Sequence, residues 1–168
     1  MAGALSDSAY VAPGATLIGD VRMADETSVY HGAVLRGEVE FVELGPQANV
    51  QDNCVIEATP GHPVRIGARV SVGHNARVYG ATIDERALIA IGATVLPGAH
   101  VGSRAIVAAN ALVPEDMVVP PGKLVIGHGR ILRDVTEAEV ARIEHGASEY
   151  ARLNADYRAP SPFGRGSG

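Results

Sequence analysis

The chain has 168 residues, 46% of them hydrophobic but only 4% aromatic, with no Trp, 20 Gly and 10 Pro. That length suits one domain, and the composition calls for a narrow core of Val, Ile, Leu and Ala rather than a broad sandwich or bundle. A formal charge of −5 gives no electrostatic reason for a nucleic-acid partner, and the single cysteine excludes an internal disulfide framework and fits a reducing compartment. No apolar run approaches the roughly 20 residues needed to span a bilayer. Met1 to Asp7 lacks the basic and apolar regions of a secretion signal, so a cytoplasmic protein with no membrane partner is expected.

Aliphatic residues recur every six positions along the chain. The first run is Leu17, Met23, Val29 and Leu35, the second Leu44, Val50 and Ile56, and the third Ile66, Val72 and Val78. The longest is Ile83, Ile89, Val95, Val101, Val107, Val113, Val119 and Val125. Alanine stands two places before each of the first six of these: Ala81, Ala87, Ala93, Ala99, Ala105 and Ala111. A period of six fits neither an α-helix (3.6) nor a lone amphipathic strand (2). It fits a short strand plus a turn, three such sides closing a coil of 18 residues whose aliphatic residues point into a triangular prism. Each Ala is the small inward residue beside a corner, and Gly and small polar residues make the corners. Coils then stack at about 4.8 Å, so the fold class is all-β, a parallel β-helix. Cys54 occupies the same small inward register as the alanines, which makes it a core residue rather than a nucleophile.

Two interruptions break the period. Leu35 to Leu44 is nine residues, one step plus three, and Ile56 to Ile66 is ten, one step plus four, with the excess rich in Pro and Gly (Ala58-Thr-Pro-Gly-His-Pro63). Both are expected to protrude as loops, where function tends to sit on a rigid scaffold. After Val125 the pattern stops. Thr136-Glu-Ala-Glu139 reads as a capping box, and Val140, Ile143, Ala147, Tyr150, Ala151 and Leu153 share one helical face, which predicts a helix from about Thr136 to Tyr157 folded back along the prism. The chain therefore divides into a β-helix domain (1–135), a helix (136–158) and a tail (159–168) whose residues from Pro160 read as disordered.

Ser28-Val-Tyr-His-Gly-Ala-Val-Leu-Arg-Gly-Glu38, Asn49-Val-Gln-Asp52 with Cys54-Val-Ile-Glu57, and Val70-Ser-Val-Gly-His-Asn-Ala-Arg-Val-Tyr-Gly80 carry a resemblance. Together with the long Ala/Val register ending at Val119-Pro-Pro-Gly122, they resemble the γ-class carbonic anhydrases over Tyr10 to about Glu139. The resemblance implies a left-handed β-helix, the hand known for six-residue repeats, and a homotrimer with a metal site shared between subunits. It also implies three histidines binding zinc or iron, at the end of the Val-Ile-x element, in Gly-His-x-Ala and five residues later. Those positions hold Glu57, His74 and Tyr79, so two of the three histidines are replaced.

Step counting, with the 58–65 segment taken as an insertion, puts Glu57 one coil beneath Tyr79, and Arg36 one coil beneath Glu57 on the same edge. His74 belongs to the previous step, a third of a coil away, so it meets Glu57 and Tyr79 only from a neighbouring subunit. Arg36, Glu57 and Tyr79 of one chain would face Gln51, Asp52 and His74 of the next.

Glu57, His74 and Tyr79 are all proton-handling residues, and in a cleft they can form an acid–base set needing no metal. Gln51 and Asn49 are candidates to orient water or a substrate carboxylate, Glu38 can serve the same end or a structural one, and His31 lines the same cleft. Arg36 and Asp52 are read as a structural ion pair across the subunit boundary. His62, in the protruding loop, reads as solvated, and His100, His128 and His145 lack clustered partners. No cofactor is expected, and zinc or iron is disfavoured; any metal retained would rest on His74 with Glu57. The reading is a homotrimer acting on a small carbonyl, carboxylate or thioester compound. The alternatives are a non-catalytic assembly subunit, a residual metal-dependent hydratase or hydrolase, and, against the motifs, an acyltransferase.

Overall fold

The computed structural model describes residues 3–159. Its 18 strands and one helix form the parallel β-helix that the six-residue period requires. One face stacks Tyr10–Val11, Ser28–Val29, Asn49–Val50, Ser71–Val72, Leu88–Ile89, Ile106–Val107 and Lys123–Ile126, all parallel, with Arg130–Asp134 closing it antiparallel. The other two faces are one ten-stranded sheet folded about the long strand Val34–Leu44. The first half of that strand pairs with Val55–Glu57 and the second with Val64–Ile66.

The core follows from the period. The aliphatic residue of each step and the alanine two places earlier both point inward: Leu35, Ile56, Val78 and Val95 stack in register, 0% exposed, as are Ala87, Ala93 and Ala105. Full burial of such a side chain contributes roughly 1.5–3 kcal/mol. Cys54 lies in the same inward row, its thiol donating to Gly73 O at 3.0 Å, and burial pushes its pKa up to about 12.

The interruptions behave differently from one another. The three extra residues after Leu35 are not a protruding loop: Val34–Leu44 runs on as one strand, bulging at Glu38–Phe41 where its partner strand Thr16–Met23 has only Asp20. Phe41 on the bulge sits between two guanidiniums, 4.3 Å from Arg22 and 4.8 Å from Arg65. The 58–63 segment does protrude, as a tight loop pinned by reciprocal Thr59 and His62 backbone bonds of 3.0 and 2.8 Å. A third irregularity is a short step. Ile83 pairs with Ile66, 17 residues back, because Val78 to Ile83 is five residues rather than six.

The helix Glu137–Arg158 starts at the expected capping box, Glu139 N donating to Thr136 Oγ1 and Thr136 N to Glu139 Oε2. It lies along the first face. Ile143 and Ala147 are buried, and Ile143 packs on Ile106 and Leu124. Asn154, rather than the expected Leu153, is the buried residue at its far end, Nδ2 donating to Thr27 O at 3.0 Å and Ser8 O at 3.3 Å. Tyr150 and Tyr157 close a cluster with Tyr10 and Tyr30, with ring centroids 5.3–6.3 Å apart. The tail expected to be disordered lies, from Pro160, outside the described residues.

Candidate active site

The candidate residues fall into three groups, set by position within the six-residue step. The first is a corner column. His31, Asp52 and His74 each immediately precede a residue with φ between +59° and +72° (Gly32, Asn53, Asn75), and backbone bonds Asn53 N to His31 O and Asn75 N to Asp52 O hold them one above another. The left-handed corner throws all three side chains outward. Asp52 sits between the two imidazoles, Oδ2 3.1 Å from His74 Nδ1 and Oδ1 3.6 Å from His31 Nδ1. Asp52 and His74 are each 39% exposed, which leaves them open to a substrate or a neighbouring chain.

The second group stands at the far edge of the adjacent face. Arg36, Glu57 and Tyr79 are direct register partners on successive strands, as step counting predicts. Within the chain Arg36 is engaged by Glu38, with Nε and Nη2 donating to Oε2 at 3.1 and 2.6 Å. That hydrogen bond and charge, with a lesser contribution from Glu57, hold the guanidinium pKa above its ordinary value. Glu38 thus positions Arg36, while Asp52 engages the imidazoles of its own chain. Behind Tyr79 the short step places Gly80 (φ +45°) against the 58–63 loop. A Cβ there would lie 2.4 Å from Thr59 Oγ1 and 2.7 Å from His62 Cβ, so only glycine lets the loop close beside this edge.

The third group lies under the helix. Gln51 Nε2 donates to Asn49 Oδ1 at 3.1 Å, and Asn49 Nδ2 to Ser71 Oγ at 2.9 Å. Asn49 is fully buried, so it anchors this chain of bonds rather than meeting solvent. Ser71 was invisible as a site residue in the sequence, although it stands one coil above Asn49. Elsewhere His100 does have a partner, Nε2 lying 2.8 Å from Asp84 Oδ2; the pairing of Thr82 with His100 one coil apart was the signal for it.

No family model matches the chain. A Methanocaldococcus jannaschii protein provisionally named a carbonic anhydrase is 40% identical over 151 residues, covering 89% of this chain and 95% of its own length. The Geobacillus kaustophilus carbonic anhydrase is 33% identical, with 92% of this chain and 86% of that protein covered. The chain belongs to the γ-carbonic anhydrase family. "Gamma carbonic anhydrase 1, mitochondrial" of Arabidopsis thaliana is 38% identical over 86% of this chain, which spans only 55% of that longer relative. Among solved structures, a Bacillus cereus protein provisionally named an acetyltransferase matches with TM-score 0.89 at 30% identity, 91% of this chain and 90% of that one being covered. An Anaplasma phagocytophilum hexapeptide transferase family protein matches with TM-score 0.88 at 29% identity, with 92% of both chains covered. A mirror-image coil would not superpose so closely, so this γ-family member winds with the left hand of that fold.

The donors at the three positions where the resemblance calls for imidazoles are one imidazole, one carboxylate and one phenol. The usual zinc ligands are Cys, His and Asp or Glu rather than Tyr, and replacing two imidazoles by a carboxylate and a phenol weakens a zinc or iron site. Among the described residues of a single chain, no three His, Cys, Asp or Glu side chains converge to hold a metal. Glu57, His74 and Tyr79 are the donors that a metal at these positions would have to use.

Proposed function

We propose that this γ-carbonic anhydrase-family protein is a homotrimer whose subunit-boundary cleft performs metal-independent acid–base chemistry on a small carbonyl, carboxylate or thioester compound. The Asp52–His74 contact carries the reading. A carboxylate 3.1 Å from Nδ1 favours the proton on that nitrogen and leaves the Nε2 lone pair free as a base. Glu57 and Tyr79, paired across one coil spacing, supply a second carboxyl and a hydroxyl. Brought against His74 by a neighbouring chain, the Tyr79 hydroxyl donates to the substrate oxygen, while the Glu57 carboxylate accepts a proton and returns it. Arg36, held by Glu38, stands beside Glu57 and extends to Asp52 of the neighbour as a structural pair, while His31 backs Asp52. Gln51 orients the substrate or water from the rim.

The test is turnover of a panel of acyl thioesters, small esters and hydroxy acids in excess EDTA. Glu57→Gln, His74→Asn and Tyr79→Phe should each lower kcat by about 10²–10⁴-fold. Mixing Glu57→Ala with His74→Ala chains should restore part of the activity, because some boundaries then carry both intact residues. Activity indifferent to all three substitutions, or abolished by EDTA, would overturn the proposal. No turnover of any substrate by an intact trimer would favour the assembly-subunit reading instead.

A further inference from the structure

A groove of about 300 Å³ runs between the helix and the first face of the prism. Its floor is Leu88, Ala90, Ile106 and Ala108, outward residues of the stacked coils, and Ile143 forms part of its helix wall. Volume and apolar lining fall at the small end of ligand sites.

Arg142, Gly146 and Tyr150 stand at i, i+4 and i+8 on the helix and all line the groove. Arg142 is exposed at the mouth of the groove, and Tyr150 also packs on Tyr30. Among the described residues Arg142 has no carboxylate partner, while its neighbour Glu139 is committed to Arg133 and to Thr136. Gly146 lies mid-helix, where glycine costs roughly 1 kcal/mol relative to alanine, yet a Cβ there would meet nothing within 4 Å. No clash requires glycine here, and a larger side chain at this position would extend into the groove. Tyr150 borders the far end with Gln51, which is 7% exposed. The Gln51 amide nitrogen is spent on Asn49, and no donor among the described residues reaches its carbonyl oxygen. Burial raises the Tyr150 pKa, so its hydroxyl stays protonated and able to donate.

We infer that the groove binds a small monocarboxylate with an apolar body, its carboxylate on Arg142 and its far end towards Tyr150 and Gln51. The eight-residue separation of Arg142 and Tyr150 is about 12 Å along the helix axis, the reach of a medium acyl chain. Gln51 immediately precedes Asp52, so the occupied groove would end beside the imidazole corner. The binding claim rests on the groove alone, and only the identification of its occupant with the substrate rests on the proposed function.

The probe is octanoate, with octanamide as its uncharged counterpart, titrated calorimetrically into the full-length protein. Octanoate should bind, octanamide at least five-fold more weakly, and Arg142→Gln should erase that difference. Gly146→Phe should abolish binding of both. Gly146→Ala should weaken octanoate while raising Tm, which shows that the glycine serves the groove and not the helix. The inference is overturned if octanoate fails to bind at millimolar concentration, or binds wild type, Arg142→Gln and Gly146→Phe alike. Repeating the titration with Glu57→Gln separates the two proposals: retained octanoate binding with lost turnover supports both, and retained binding without any catalysis in wild type leaves the groove standing and removes the proposed reaction.

Discussion

Replacing Gly80 by alanine probes how the fold positions the edge carrying Tyr79. The new Cβ would meet Thr59 Oγ1 at 2.4 Å, His62 Cβ at 2.7 Å and His62 O at 3.0 Å. Thr59 can rotate away, but the His62 contacts are relieved only by moving the loop, which endangers the two Thr59–His62 backbone bonds at about 1 kcal/mol each. Adding about 1 kcal/mol for an L-residue at positive φ to the loss of one or both bonds gives a total of about 2–3 kcal/mol, or a fall of about 4–12 °C in Tm for a chain of this size. Gly61 is the internal control. Its φ is +76° with nothing within 4 Å of a Cβ, so Gly61→Ala should show only the backbone cost of about 1 kcal/mol. Differential scanning calorimetry of the two variants isolates the contact with the loop. Equal Tm values, within a degree, would refute the claim that Gly80 is required by the approach of the 58–63 loop.

Other consequences concern the core and the helix. Ile56→Ala, at a fully buried position between Leu35 and Val78, should cost about 2–5 kcal/mol in urea unfolding; a loss below about 1 kcal/mol would mean the prism is loosely packed there. The Cys54 thiol, with its pKa pushed up to about 12 by burial, should resist maleimide at pH 8 until the protein is unfolded. Its contribution to stability should be full below the unfolded value of 9.0 and be lost as pH rises from there towards about 12. Glu139 is held well below its ordinary 4.5, first by the Arg133 hydrogen bond and then by the Thr136 backbone. The stability it confers is therefore present above pH 4.5 and declines as pH falls beneath that, a decline that circular dichroism at 222 nm should register and that Glu139→Gln should remove.

Much of the prism was legible because its period is set by burial. Each step must return an aliphatic residue to the axis, so counting sixes placed Glu57 beneath Tyr79 and Arg36 beneath Glu57, and the registers agree. What escaped the count depends on contacts that periodicity does not encode. The Glu38–Phe41 excess stays within a strand, and Phe41 there meets the guanidiniums of Arg22 and Arg65, contributed by different coils. The partners of Arg36 and Asp52 within the chain follow from outward side chains on one edge, where several geometries suit the same residues. Helical spacing indicated an apolar stripe, but Asn154 is buried because two backbone carbonyls, of Ser8 and Thr27, happen to lie beneath it. The Tyr10, Tyr30, Tyr150 and Tyr157 cluster joins residues from opposite ends of the chain, and no local pattern announces it.

The most direct measurement of the central claim is the zinc and iron content of the purified protein by elemental mass spectrometry, after expression with both metals supplied. A cleft converted to metal-free acid–base work at Glu57, His74 and Tyr79 predicts far less than one metal per chain, unchanged in His74→Ala. About one zinc or iron per chain, lost in His74→Ala, would contradict it.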